Sequence, residues 1–95
     1  MTRDQEDLAL AGELLLGGEW RQPLARLLGP HHPRGPRDAI DGRLVQRWAA
    51  GQRPIPGWVW PVLAKMLESR RAELVGTLDR IDRMSSHLRG RGDGS

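Results

Sequence analysis

Ninety-five residues, 38% of them hydrophobic, fit one small domain with a modest core, and such a core often gains from a partner subunit. No cysteine is present, which excludes a disulfide frame and a thiolate metal cage and makes a cytoplasmic setting the expectation. The net charge of +3 is uneven: residues 1–19 hold one Arg against five acids, 20–55 seven Arg against Asp38 and Asp41, and 56–95 seven bases against five acids.

A polyanion-binding surface would concentrate positive charge in this way. Arginine usage alone does not decide the matter, because Lys65 is the single lysine and a GC-rich coding sequence also favours Arg. The acidic opening "MTRDQED" does not suit a secretory signal. The run "LALAGELLL" is short and carries Glu13, so no membrane span is expected.

A first helix is expected from about Asp4 to Leu16, capped by Thr2 or Asp4, with acids in the first turn where the helix dipole favours them. Its stripe is Leu8, Ala11, Leu14 and Leu15, and Gly17-Gly18 stops it. A second helix starts at Trp20 or Pro23 and ends at Leu28 before Gly29-Pro30, with Leu24, Ala25, Leu27 and Leu28 facing inward. "PHHPRGPRDAI" reads as a loop. A third helix follows, with Asp41 as N-cap, Asp38 as a rival cap, and Gly51 as the residue beyond its C-cap. After the ordered turn "QRPIPG", a long helix begins near Gly57 or Trp58, with Pro61 in its first turn, and could continue past Leu88. The last six residues, "GRGDGS", look like a flexible basic tail.

The third helix carries the chemistry. Arg43, Gln46, Arg47 and Ala50 follow the i, i+3, i+4, i+7 rule along its outer face, while Leu44, Val45 and Trp48 lie behind. Arg offers a bidentate fork to guanine O6 and N7, and Gln pairs likewise with adenine N6 and N7, so this face suits a major groove. Arg43, Gln46 and Arg47 are therefore the candidate base contacts. Arg21, Arg34, Arg37 and Arg53 are the candidate phosphate contacts. The fold class expected is all-α: a compact helix-turn-helix bundle over residues 1–89 with a long C-terminal helix, and a tail over 90–95.

"EWRQPLARLLG" followed by "VQRWAAGQRPIP" resembles the phage-repressor-like, or Xre-type, helix-turn-helix family, whose members typically read "LA..LG" and then "V.RW..G.R..P". The match covers roughly Glu19 to Leu67, and "RWAAGQRPIP" is its most specific part. The resemblance implies a helical bundle that binds operator DNA, often as a dimer, with Arg43, Gln46 and Arg47 at recognition positions. The chain departs from the family at the turn between the motif helices. Gly29 to Ile40 spans about twelve residues where the family uses three or four, which adds Arg34 and Arg37 as further contacts.

Other readings are plainer. Trp48 shares its helical phase with Leu44 and Val45, so it belongs to the core, as do Trp20 and Trp60, with Trp58 partly exposed. Adjacent His31 and His32 are badly spaced for one metal ion, and His87 reads as a solvated surface residue. Asp79 and Asp82 alternate with Arg80 and Arg83 as a charged helix face. No nucleophile is flanked by a base, so neither enzymatic activity nor a cofactor is expected. Leu67, Leu74, Ile81 and Leu88 recur every seven residues, but Arg70 and Thr77 interrupt the companion seam. A helix folding back on its bundle would leave its outer end bare. A homodimer through Leu74, Leu78, Ile81, Met84 and Leu88 would cover it and set two recognition helices about 34 Å apart. The function expected is a duplex-DNA-binding transcription regulator, a dimeric repressor. A protein-interaction module, such as a phage adaptor or inhibitor, is the alternative, and RNA binding a lesser one.

Overall fold

The computed structural model describes residues 2–93 and is all-α, with no strand among the described residues. Helix α1 (Arg3–Leu16) begins at a capping box: Thr2 Oγ1 accepts the Gln5 amide, and Gln5 Oε1 accepts the Thr2 amide. It ends at Gly17, where φ is +85°. Helix α2 (Arg21–Leu28) tightens into a 3₁₀ turn, Gly29–His31, before the chain leaves for α3 (Gly42–Ala49) and α4 (Val59–Asp93).

The core gathers Leu8 and Ala11 of α1, Leu24, Ala25 and Leu28 of α2, and Val45 and Trp48 of α3. Val59 and Leu63 of α4 close it, together with Trp20 and Ile40 from the connecting segments. Two leucines expected inside stand outside: Leu14 is 58% exposed and Leu27 39%. At 100° per residue each lies about 110° round its helix from the buried face. The buried face of α1 includes Gly12, over which the Trp20 ring lies so closely that any Cβ would strike it. Small size at residue 12 lets α1 approach α2.

The long turn between α2 and α3 is ordered by its own backbone. Gly29 carbonyl accepts the amides of His32 and Arg37 at 3.2 and 3.0 Å, and Ala25 carbonyl accepts that of Ile40 at 2.9 Å. A Cβ on Gly29 would collide with the Ala39 backbone, so the return of the chain depends on glycine there. His32 packs edge-on against Trp58 at 5.6 Å, tying the turn to the start of α4. The segment read as a loop is thus fastened at three points.

Helix α4 is 35 residues long, about 52 Å at 1.5 Å per residue. Pro61 sits third in it, where its missing amide has no intrahelical acceptor to lose. Its first turns pack on the bundle, with Leu63 buried and Met66 and Leu67 half-buried, but every residue from 71 to 92 is exposed. The radius of gyration, 18.3 Å, accordingly exceeds the roughly 12 Å of a compact chain of this length. The tail expected at 90–95 is helical through Asp93, and residues 94–95 lie outside the described residues. Gly90 and Gly92 cost the helix about 1 kcal/mol each, which weakens it without ending it. Among the described residues no helix is long and apolar enough to cross a membrane.

Two glycine-to-alanine changes should move stability in opposite directions. Gly12→Ala, which forces a methyl into the Trp20 ring, should lower stability by about 1–3 kcal/mol despite the better helix propensity of Ala. Gly76→Ala, with open space around it, should raise it by about 0.5–1 kcal/mol. Thermal unfolding of both variants checks the pair; a Gly12→Ala protein as stable as the parent would contradict the tight α1–α2 approach.

Candidate nucleic-acid interface

Eight residues are too few for a helix to persist alone in water, so α3 depends on its ends and its inner face. Asp41 is the N-cap, its carboxylate accepting the Arg43 amide at 2.9 Å, and Asp38 plays no part in it. At the other end Gln52 N–H returns to Arg47 carbonyl at 2.9 Å and Gly51 N–H to Trp48 carbonyl at 3.1 Å. This is a Schellman closure with Gly51 at φ +77°, a conformation only glycine adopts without strain. Inside, Val45 is wholly buried and Trp48 2% exposed, while Leu44 is half-buried.

With the inner face fixed, the outer face is fixed too. Arg43, Gln46, Arg47 and Ala50 are exposed and surround one shallow depression of about 320 Å³. Gln52 completes its rim, a residue the sequence reading missed. The signal was present: glycine just past the C-cap implies the Schellman closure, and that closure folds residue 52 back over Arg47. Gln22, also missed, lies against Gly42 at the first turn of α3.

The remaining candidate arginines are distributed differently. Arg53 lines a separate depression with Thr2, Asp4 and Gln5, at the start of α1. Arg21 lays its guanidinium over the Trp20 ring, 4.8 Å from the centroid. Arg34 and Arg37 are exposed on the ordered turn. Among the described residues the ion pair formed is Arg70–Glu73 at 3.3 Å, far along the chain on α4. Among the described residues, none of the arginines of α3 or of the turn has a carboxylate within salt-bridge distance.

The two histidines face different neighbours. His31 borders a groove with Leu15, Leu27 and Met66, whereas His32 meets Trp58. Among the described residues no three His, Asp or Glu side chains come together as a metal site. His87 is exposed, as are Asp79, Arg80, Asp82 and Arg83. Comparison with protein-family models, with curated proteins and with solved structures returns no match.

His32 titrates below its ordinary 6.5, first because it is partly desolvated and then because Arg37 and Arg34 add positive charge nearby. Its neutral Nδ1 accepts the Arg34 amide at 3.1 Å, an acceptor that protonation removes. The unfolded chain then binds the proton more readily than the folded one, so stability rises with pH across this interval. The contribution is complete above about 6.5 and is lost as pH falls through the lower folded value. An NMR titration should show a His32 midpoint below 6.5, with exchange protection of the Arg34 amide falling alongside it. A midpoint at or above 6.5 would contradict the assignment.

Proposed function

We propose that this chain is a sequence-specific duplex-DNA-binding protein of the helix-turn-helix type, similar to phage-repressor-like regulators, with α3 as its recognition helix. One observation carries the reading. Arg43, Gln46 and Arg47 stand exposed, with no ion pair to them among the described residues, on a helix whose inner face is locked into the core. A helix of eight residues is about 12 Å long and can lie within a major groove about 12 Å wide. Arg43 and Arg47 bring bidentate forks to guanine, Gln46 brings a carboxamide to adenine, and Gln52 stands beside them at the same rim. Ala50 is small enough to leave the groove room to close.

Arg21, Arg34, Arg37 and Arg53 hold phosphates, and the fastened turn fixes the backbone from which Arg34 and Arg37 reach. The protein acts in the cytoplasm of a bacterium, on host or phage promoters. It binds as a dimer through the outer length of α4 and represses by occluding polymerase. No step of catalysis is involved.

Arg47→Ala should cost about 1–3 kcal/mol of affinity for the preferred site and relax discrimination at one base position. Selection from a random duplex library tests it directly: the same motif returned by variant and parent would refute the assignment of α3.

Replacing Arg34 and Arg37 together with Ala should weaken binding about equally on all sequences. The log–log salt dependence should flatten by nearly two units, at roughly 0.9 per neutralised phosphate. An unchanged slope in a mobility-shift series across salt concentrations would place the turn away from DNA.

A further inference from the structure

The outer part of α4 is unusual for so small a chain. A compact protein of 10.7 kDa exposes about 5,500 Å². This one exposes 7124 Å², a surplus of roughly 1,600 Å² against the ~800 Å² that each partner contributes to a standard interface. Leu74, Leu78, Ile81, Met84 and Leu88 are each 45–60% exposed on the outer part of α4.

The same face of α4 is used twice. At 100° per residue, Leu63, Leu67, Leu74, Leu78, Ile81 and Leu88 fall within an arc of about 80°. The lower end of this stripe is covered by the bundle: Leu63 is buried and Leu67 half-buried. Beside the covered stretch, Leu15 of α1 and Leu27 of α2 line a groove of about 660 Å³ with α4 residues from Pro61 to Glu73. Whatever covers the upper end must therefore lie on the same side of α4 as the chain's own bundle.

That requirement decides direction. In a parallel pair, the partner's residues 59–70 would run into the space already filled by α1 and α2. In an antiparallel pair, the partner helix ends where the bundle begins. The bare stretch, residues 71 to 92, has its midpoint within one residue of Ile81. A two-fold axis there sets Ile81 against its own copy and Leu74 against Leu88 of the partner subunit. Residue 70 then stands level with residue 92 of the partner subunit, and Glu73 on the groove rim comes near Arg91 of the partner subunit.

We infer that α4 pairs antiparallel with α4 of a second copy of this chain about a two-fold axis at Ile81, each helix end abutting the other copy's bundle. This interface is isologous and leaves neither stripe bare. It rests on the dimer of the proposed function and specifies its orientation. The bundles then lie at opposite ends of a rod, about 54 Å apart when measured between the two Leu63 positions at 1.5 Å per residue. The one-turn spacing of recognition helices, expected for a side-by-side pair, does not follow from this arrangement.

The absence of cysteine from the chain makes the test direct. Wild-type protein should sediment as a dimer at micromolar concentration without DNA, and Ile81→Glu as a folded monomer. Leu74→Cys and Leu88→Cys are exposed substitutions; mixed under reducing conditions and then oxidised, they should form a disulfide-linked heterodimer. Leu74→Cys alone should cross-link at least tenfold less, because its two copies stand about 21 Å apart along the rod. Efficient self-cross-linking of Leu74→Cys, in a protein that sediments as a dimer, would overturn the orientation and keep the dimer. A wild-type monomer would overturn both, and a different partner for the stripe would follow. None of these readouts involves DNA, so the assignment of α3 stands or falls separately.

Discussion

The burial of Val45 and Trp48 is the contact on which the candidate site depends. Helix nucleation is costly, and eight residues return too few hydrogen bonds to offset it. Fully burying Val45 contributes about 1.5–3 kcal/mol, and the larger Trp48 ring more. The Asp41 cap adds about 1 kcal/mol and also fixes where the helix starts. Because both anchors lie on one face, the rotation of α3 about its own axis is set by the core. Arg43, Gln46 and Arg47 then point outward without any contact of their own to hold them. A reading face needs this division of labour, since side chains engaged in the fold cannot also engage a base edge.

Much of this was legible in the sequence, for identifiable reasons. The Asp41 cap, the Gly51 closure and the outer quartet follow from helical periodicity and from residues with narrow conformational roles. Leu14 and Leu27 stand outside the core although periodicity places them in it, because a run of leucines offers several stripes of similar quality. The choice was made by Gly12 and Trp20, whose fit is a matter of shape and does not appear in a hydropathy pattern. The twelve-residue turn looked loose because proline and glycine signal irregular backbone whether or not it is fastened. Its fasteners are the Gly29 and Ala25 carbonyls and the Trp58 ring, and only the folded chain shows which groups meet them. Gln52 is readable in principle, because a glycine just past the C-cap closes the helix and also turns the next residue back toward it.

The turn also changes what the departure from the phage-repressor pattern means. A longer connection could have loosened α3 from α2, yet Ile40 is buried and its amide bonds back to α2. The extra residues form an appendage on an intact junction, and α3 remains packed on α2. The result is two exposed arginines on a braced backbone, close in sequence to α3. His32 takes part in that brace, so the turn responds to protons at a pH below the ordinary histidine range.

Helix α4 links the two ends of the molecule. Its stripe has one chemical character along its length but two environments, core at Leu63 and solvent from Leu74 onward. Intrinsic propensity alone does not favour such an extension, since Gly76, Gly90 and Gly92 each weaken it. The charged residues on its other face keep that side in water and leave the leucine side as the surface to be covered. A partner helix on this side is confined by the bundle that already occupies it, so the packing of α1 and α2 on α4 also limits how two copies can meet. In the dimer proposed above, the geometry of a paired DNA site would thereby be tied to the first turns of α4. In that dimer, a change there that tilted the bundle on its helix would move both outer faces of α3 together while leaving each one intact.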